Sequence, residues 1–517
     1  MYSSNYTVEK YKREIDEKGL RTVWEDILGY ALEHDTRGQL LDVANFGELY
    51  EIGLAHVDKS AKKKLGVYYT PKDVADVLSA YLKDLKGDVI CDVCCGTGNL
   101  ILSYLDSIGE YKAKEILGSG KVYLYEMDEI ALEICKASIG IIYGREYMAK
   151  VRAYVGDFLD ADVHLPENAK VISNPPYAGF KEVPETWCKT DVLKEAKELY
   201  AIIMEKILRE SVSSVLITPF SFIGGNKFYS LRKELNKHNG FILAFDNVPA
   251  NIFNGRKHGI FNTNTANAVR AAITVVENRK EVKGFRLTPL LRFSSGERTQ
   301  VLDPELLKSY LDTEHQIVTD TNKRYYKCFK ELKGLYKTWL NQSTQTLSEV
   351  LSDEDTKYTL YMPNTCRYFV TAVTKDLKRT GKIKLRFKDK ESFEFAYCIL
   401  NSSFAYLYWR MYEGAMSYSV GLVKSLPIFK DKVTEQQKLT MSSLVSDMIQ
   451  QEESYLVYKK NASEMQESVK FPVSHRDSLN ALLIGILGTP FDVREFDRVH
   501  SNTLIMNEAC GEEGEDE

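Results

Sequence analysis

Four short stretches of the chain carry residues suited to chemistry. In Val89-Ile90-Cys91-Asp92-Val93-Cys94-Cys95-Gly96-Thr97-Gly98 an apolar run ends beside a carboxylate and enters a turn whose glycines let the backbone approach a ligand closely. The next run ends at Glu126, where a carboxylate can accept hydrogen bonds from both hydroxyls of a ribose, with Met127 beside it to lie on an adenine ring. A third ends at Asp157-Phe158, and a fourth at Asn174-Pro175-Pro176-Tyr177. Paired prolines lock that last turn, so a backbone carbonyl faces outward where no amide hydrogen competes for it. A dinucleotide fits poorly, because Ile101 stands at the third glycine position and Glu126 follows Asp92 by 34 residues instead of about 20. No lysine follows the turn as a phosphate loop requires, which disfavours nucleoside triphosphate hydrolysis. The remaining ligand has a ribose and an adenine but no phosphate, and S-adenosylmethionine answers that description.

These groups can cooperate only if the fold gathers them. From Val89 to about Asn278, short apolar runs alternate with helix-length stretches, the pattern of a parallel sheet with crossover helices. Seven strands are predicted: Val89–Val93, Lys121–Tyr125, Val151–Val155, Val171–Ser173, Ser214–Ile217, Phe241–Phe245 and Ala271–Val276. Parallel strands place their carboxyl ends on one edge, so Asp92, Glu126, Asp157 and Asn174 should converge on one crevice. Ahead of the sheet, Val23, Trp24, Ile27, Leu28, Ala31 and Leu32 recur at near-helical spacing. Beyond residue 285 the strands shorten, helices are few until about 435, and a helix is expected over 434–467. The predicted fold class is therefore α/β, Rossmann-like, with a mostly parallel seven-stranded sheet over 66–285. An N-terminal helical segment spans 1–65, a C-terminal α+β domain 286–510, and an acidic tail 511–517.

The 517 residues carry 68 basic and 73 acidic side chains, for a formal charge of −5. Hydrophobic residues make up 44% and charged ones 27%, without an apolar run of about 18 residues, which excludes disordered, collagen-like and membrane-spanning readings. Five of the last six residues are acidic, and without them acids and bases balance at 68 each. A neutral body does not coat itself with nucleic acid indiscriminately, although local basic surfaces can still hold DNA. Nine scattered cysteines suit a reducing cytosol, and the opening Met1-Tyr2-Ser3-Ser4-Asn5 shows no secretory signal, so a cytoplasmic protein is expected.

The ordered set Gly66-Val67-Tyr68-Tyr69-Thr70-Pro71, Asp92-Val93-Cys94-Cys95-Gly96-Thr97-Gly98 and Asn174-Pro175-Pro176-Tyr177 resembles the N6-adenine DNA methyltransferases whose cofactor motifs precede the catalytic motif and whose target-recognition domain comes last. The resemblance covers roughly residues 50–280. It implies a methyltransferase domain at 66–285, a DNA target-recognition domain at 286–510 and S-adenosylmethionine as cofactor. It also implies that Thr70, Asp92 and Cys94 lie near the methionine end, Glu126 on the ribose, Met127, Asp157 and Phe158 on the adenine, and that Gly96 is among the residues that bind that cofactor. The family usually carries Pro and Ala where this chain has Val93 and Cys94. An adenine amino nitrogen is a poor nucleophile because its lone pair is delocalised. If the Asn174 side-chain oxygen and the Pro175 carbonyl each accept one amino hydrogen, the nitrogen is drawn toward tetrahedral geometry and its lone pair can aim at the sulfonium methyl. Asn174 then aligns and is not a base, and it also borders the cofactor. Tyr177 stacks on the target base, which must leave the duplex to expose its amino group, and Phe253 is the candidate for a second stacking face.

Residues 375–390 hold eight bases and two acids, and Lys382, Lys384, Arg386 and Lys388 alternate with Ile383, Leu385 and Phe387, so a strand there has one basic and one buried face. Phosphate binding and a lysine-guarded edge are equally good readings of that strand. Arg256, Lys257 and His258 follow the Phe253 loop as candidate phosphate contacts, and Arg367 and Arg410 are candidates for base or phosphate contact. The eight histidines are far apart, and Cys91-x-x-Cys94 lacks a second ligand pair, so no metal is expected. Glu195-Ala196-Lys197 imitates part of a nuclease motif without a suitably spaced strand aspartate, which leaves a restriction endonuclease as a separately encoded partner. The expected activity is adenine-N6 methylation of double-stranded DNA in restriction-modification. The rivals are cytosine-N4 methylation, protein-glutamine methylation and a catalytically silent DNA-binding subunit.

Overall fold

The computed structural model describes residues 6–58, 70–253, 269–277, 281–366, 368–414, 417–461 and 464–505. The chain divides into two compact units, one of residues 1–325 with 503–517 and one of 326–502.

The first unit is built on a sheet of eight strands: β1 (Val89–Val93), β2 (Val122–Glu126), β3 (Arg152–Val155), β4 (Ala169–Ser173), β5 (Ser213–Pro219), β6 (Asn239–Phe245), β7 (Ala271–Glu277) and β8 (Gly284–Leu291). Their order across the sheet is β3-β2-β1-β4-β5-β7-β6-β8. β7 is antiparallel to β5 and β6, and the other pairings are parallel. β1, β4 and β5 are buried along nearly their whole length, since a parallel sheet is covered on both faces, and for that reason they read as unbroken apolar runs. β1 lies between β2 and β4, so the strand order reverses there and a crevice opens outside the carboxyl ends. Val93 is in register with both Tyr125 and Ser173, and the Ser173 hydroxyl donates to the Val93 carbonyl at 2.6 Å, which levels these strand ends.

The seven predicted strands are all present, with ends displaced by at most two residues. β8 is additional, and the domain boundary predicted at 285/286 falls inside it. The reason is Pro289, which counts against a strand except at a sheet edge, where β8 lies. Its register with β6 shifts around Thr288 and Pro289, and the Thr288 hydroxyl accepts from the Ala244 amide at 3.0 Å in place of a ladder bond.

Among the described residues of the N-terminal segment there are three helices, Val8–Lys18, Leu20–Glu33 and Val43–Val57. Trp24 meets Phe46 and Tyr50 edge to face at 5.5 and 5.8 Å and donates to the Tyr11 hydroxyl at 3.0 Å. The same core takes in Ala131, Ile134 and Ala137 of the helix Glu129–Tyr143 that follows β2, so the segment belongs to the sheet's unit.

The second unit holds more helix than its sequence predicts. Lys333–Gln342, Lys390–Leu400 and Ser403–Tyr412 all precede the helix Glu435–Gln451. Lys390–Leu400 and Ser403–Tyr412 are rich in Phe and Tyr and buried nearly all round, so few polar residues mark the 3.6-residue period. The helix expected over 434–467 stops at Gln451. There the buried Glu452 carboxylate accepts from the Thr374 amide at 2.9 Å, the Thr374 hydroxyl at 2.7 Å and the Tyr397 hydroxyl at 3.1 Å, turning the chain inward. Beyond it, β11 (Leu456–Asn461) and β12 (Glu464–Val469) form an antiparallel hairpin. A second antiparallel pair joins β9 (Thr359–Pro363) to β10 (Lys382–Arg386), and the predicted alternation holds there: Lys382 and Lys384 are exposed while Ile383 and Leu385 are buried. Among the described residues no helix is long and apolar enough to cross a membrane.

Candidate active site

Asp92, the penultimate residue of β1, is wholly buried. Its Oδ2 accepts from the Ile101 amide at 3.1 Å, and its Oδ1 meets no donor among the described residues. Burial pushes this carboxyl well above the usual range, opposed by the Ile101 hydrogen bond. Three residues with left-handed backbone shape the turn that follows, Cys94 (φ 59°), Gly96 (φ 54°) and Gly98 (φ 94°). A Cβ at Gly98 would stand 2.5 Å from the Cys135 sulfur, so glycine is what allows the helix Glu129–Tyr143 to close on the turn. A Cβ at Gly96 would meet nothing within 4 Å, and the backbone there borders space that a ligand can fill. Cys94 adopts its conformation despite carrying a Cβ, at a cost of about 1–2 kcal/mol. Burial and the neighbouring Glu126 and Asp92 carboxylates push the Cys94 thiol upward, so it stays neutral.

Glu126 ends β2 and reaches back over the turn. Its Oε2 accepts from the Gly96 amide at 2.8 Å, and its Oε1 from the Met127 and Asp128 amides at 2.9 and 3.0 Å. Burial raises its carboxyl above the ordinary range while these amides pull the other way. Three of its roughly four acceptor positions are thus filled by backbone, leaving room for one further donor. Met127 is 66% exposed beside it. Asp157, two residues past β3, is held at both oxygens, by the Leu159 amide at 2.9 Å and by the Trp187 indole N–H at 2.8 Å. Phe158 is buried, edge to face with Tyr125 at 5.2 Å and with the Lys206 ammonium 4.9 Å from its ring centre, so it supports Asp157 from beneath.

Asn174 follows β4 directly. Its amide NH2 donates to the Thr70 hydroxyl at 3.0 Å, and the Thr70 carbonyl accepts from the Asn99 amide NH2 at 2.9 Å. Stretches around residues 70, 99 and 174 therefore close on one point, and the acceptor end of the Asn174 amide is turned away from Thr70. Pro175 is buried, which fixes its carbonyl, and Pro176 continues the turn. The Tyr177 hydroxyl donates to the Ile217 carbonyl of β5 at 3.2 Å. Its ring meets Tyr200 and Phe253 edge to face, at 6.4 Å and 77° and at 6.1 Å and 68°. Phe253 is 4% exposed, so it braces Tyr177 and does not face it across a gap of base thickness, which corrects its expected place as a second stacking surface.

Three residues that carry no sequence signal complete this architecture. Trp187 comes from the loop after the Asn-Pro-Pro-Tyr turn and ties that loop to Asp157. Tyr200 buttresses Tyr177. Arg298 binds Asp73, two residues beyond Pro71, through both carboxylate oxygens at 2.6 and 2.9 Å, and donates to the Asn251 and Ile252 carbonyls at 3.0 and 2.8 Å. It thereby fixes the helix after Thr70 against the loop that carries Phe253. Each contact joins segments distant in sequence, where spacing rules are silent.

The expected DNA contacts fare differently. Arg256, Lys257, His258 and Arg367, with Gly66–Tyr69 of the first motif, lie outside the described residues. Arg410 is 4% exposed within the helix Ser403–Tyr412, a placement that counts against the duplex contact expected of it. On β10, Lys382 pairs with Asp376, while Lys384 and Arg386 reach Asp355 at 3.6 and 2.9 Å. Lys388 donates to the Glu349 carbonyl at 2.6 Å.

The arrangement fits S-adenosylmethionine. It offers a buried acceptor on Asp92, open backbone at Gly96, and carboxylates on Glu126 and Asp157, all at the carboxyl edge of one sheet. Residues 42–301 match the family model described as N-6 DNA Methylase. The type II methyltransferase M.VspI of Vibrio sp. (strain 343) is 26% identical over 338 residues, which span 59% of this chain and 78% of that protein. The type I restriction enzyme MpnII methylase subunit of Mycoplasma pneumoniae is 24% identical over 293 residues, 52% of this chain and only 50% of its own length. Among solved structures, a putative class I S-adenosylmethionine-dependent methyltransferase from Listeria monocytogenes aligns at 16% identity with a TM-score of 0.38, over 59% of this chain and 93% of that one.

Proposed function

Because the chain belongs to the N-6 DNA methylase family, a family of S-adenosylmethionine-dependent DNA methyltransferases, we propose that it methylates the N6 amino group of an adenine extruded from double-stranded DNA. The observation that carries this reading is the Asn174–Thr70 hydrogen bond at 3.0 Å, which presets the catalytic amide before any base arrives. S-adenosylmethionine supplies a methyl group made electrophilic by its sulfonium. Asn174 and Pro175 provide two acceptors for the amino hydrogens, turning the nitrogen lone pair out of the purine plane and toward the cofactor side. Tyr177, braced on two sides and held at its hydroxyl, offers a ring face to the extruded base. Preorganisation of this kind lowers the barrier without a general base, since the product loses its extra proton to solvent once nitrogen has become a cation. The names of the relatives, a type II methyltransferase and a type I restriction enzyme methylase subunit, support a modification role, for which the proposed partner is a separately encoded nuclease.

Incubation with unmethylated duplex DNA and labelled cofactor, followed by mapping of the modified base, tests the assignment. Label on adenine N6 is expected, and label on cytosine or on protein would overturn it. Asn174→Ala should lower transfer about a hundred- to a thousandfold while cofactor affinity, measured by calorimetry, changes by less than about tenfold.

A further inference from the structure

Exposed cations without an ion pair among the described residues occur at several places in the second unit, Lys330, Lys357, Lys424 and Lys470 among them, and two basic patches contrast in this respect. The cations of β10 already have carboxylate or carbonyl partners, as described above. Lys378, Lys459 and Lys460 differ: all three are exposed, and among the described residues none makes an ion pair. They cluster on and beside the β11–β12 hairpin, whose outer part is exposed on both faces. Tyr458 is 61% exposed, Met465 is 56% exposed, and Val457 is open as well. Directly opposed residues share a face of the ribbon, so Lys460 stands beside Met465 and Lys459 beside Gln466.

The base of this ribbon is stitched to the basic stretch that precedes β10. The Glu467 amide donates to the Lys378 carbonyl at 2.9 Å, and the Lys378 amide donates to the Glu467 carboxylate at 2.9 Å. Arg379 donates to the Ser468 hydroxyl at 2.8 Å, and the Gln466 amide to the Thr380 hydroxyl at 3.2 Å. Glu467 is buried by these contacts, so its charge is turned inward. The result is an anchored two-stranded projection that carries Tyr458 and Met465 as exposed, largely apolar side chains, and beside them lysines that make no ion pair among the described residues.

We propose that this hairpin enters a groove of duplex DNA, with Lys378, Lys459 and Lys460 on phosphates and Tyr458 and Met465 against the apolar parts of the groove. The inference rests on the DNA substrate proposed above and names the surface that holds it. A two-stranded antiparallel ribbon matches the width of the major groove, where thymine methyl groups offer apolar contact. Cations that need break no ion pair gain most from phosphates, because counterion release is not offset by a lost partner. By the same reasoning, the basic face of β10 contributes less than its composition suggests.

The test uses the full-length protein with S-adenosylmethionine and a duplex carrying a methylated-site sequence, with affinity read by fluorescence anisotropy against salt. K459Q/K460Q removes two phosphate contacts, so between about 50 and 200 mM salt its affinity should fall about tenfold less than that of the wild type. Unchanged cofactor affinity in the variant shows that the first unit is intact, and circular dichroism at the wild-type level does the same for the whole chain. An unaltered salt slope overturns the proposal, as does a slope flattened by Lys384→Gln and not by the hairpin variant. If Tyr458→Ser with Met465→Ser changes the oligomeric mass and leaves DNA affinity untouched, the hairpin is a protein-binding surface and the proposal is equally wrong. A hairpin-dependent slope in a protein that methylates no adenine would instead sink the substrate assignment and leave the DNA surface standing.

Discussion

At Asp92 the needs of folding and of ligand binding oppose each other. Its pKa is raised in the fold by burial, so the unfolded chain gives up this proton at lower pH than the native protein does. Between the ordinary carboxylate value of about 4 and the raised native value, the free protein therefore loses stability as pH rises, and above both values the loss is constant. A cationic ligand favours the ionised form, so cofactor binding should release a proton inside that window. Calorimetry in buffers of different ionisation enthalpy reads this release directly. Asp92→Asn should abolish most of it, leave the free protein at least as heat-stable as the wild type at neutral pH, and weaken cofactor binding tenfold or more. Trp187 acts one step further out, since its indole N–H holds Asp157 at 2.8 Å. Trp187→Phe should cost about 1–2 kcal/mol in cofactor affinity, roughly five- to thirtyfold, with kcat at saturating cofactor little changed. That Asp92, Glu126 and Asn174 meet at one edge was legible in the sequence, because strand ends are set by local apolar patterning. Trp187 and Arg298 were not, because a side chain that bridges distant loops leaves no period or spacing behind.

Among the elements, the glycine turn separates two uses of the same residue type. Gly98→Ala places a methyl group 2.5 Å from the Cys135 sulfur at a backbone angle of +94°, and should destabilise the protein by about 2–4 kcal/mol in denaturant melts. Gly96→Ala meets no protein atom, so its stability cost should be only about 1 kcal/mol, while its cofactor affinity falls further than that of any Gly98 variant which still folds. The ratio of the two effects distinguishes a turn that closes on a helix from one that closes on a ligand. Buried central strands announced themselves through continuous apolar runs, whereas β8 was hidden by Pro289. The helices Lys390–Leu400 and Ser403–Tyr412 were hidden by the opposite circumstance, burial that leaves few polar residues to mark a helical period. The hairpin β11–β12 was absorbed into a predicted helix because Glu452, which turns the chain, reveals its role only through Thr374 and Tyr397.

Among the described residues, two large cores stand out. One surrounds the sheet, and the other gathers Trp339, Trp409, Phe404 and Tyr397 in the second unit. Calorimetric unfolding should accordingly resolve two transitions. S-adenosylmethionine at about 100 times its dissociation constant stabilises the unit that binds it by about 2.7 kcal/mol and should move that transition alone. The chain leaves the first unit at Tyr325 and re-enters it at Thr503. On its return, the Leu504 carbonyl accepts from the Tyr310 hydroxyl at 3.0 Å, the Ile505 amide donates to Glu297 at 3.0 Å, and Leu504 joins the core around the sheet. The second unit is thus an insert with two seams. Gene exchange that replaces it with a homologous cassette must cross over twice, near codons 325 and 502, while a single crossover strips the recipient of the residues that seal its own interior.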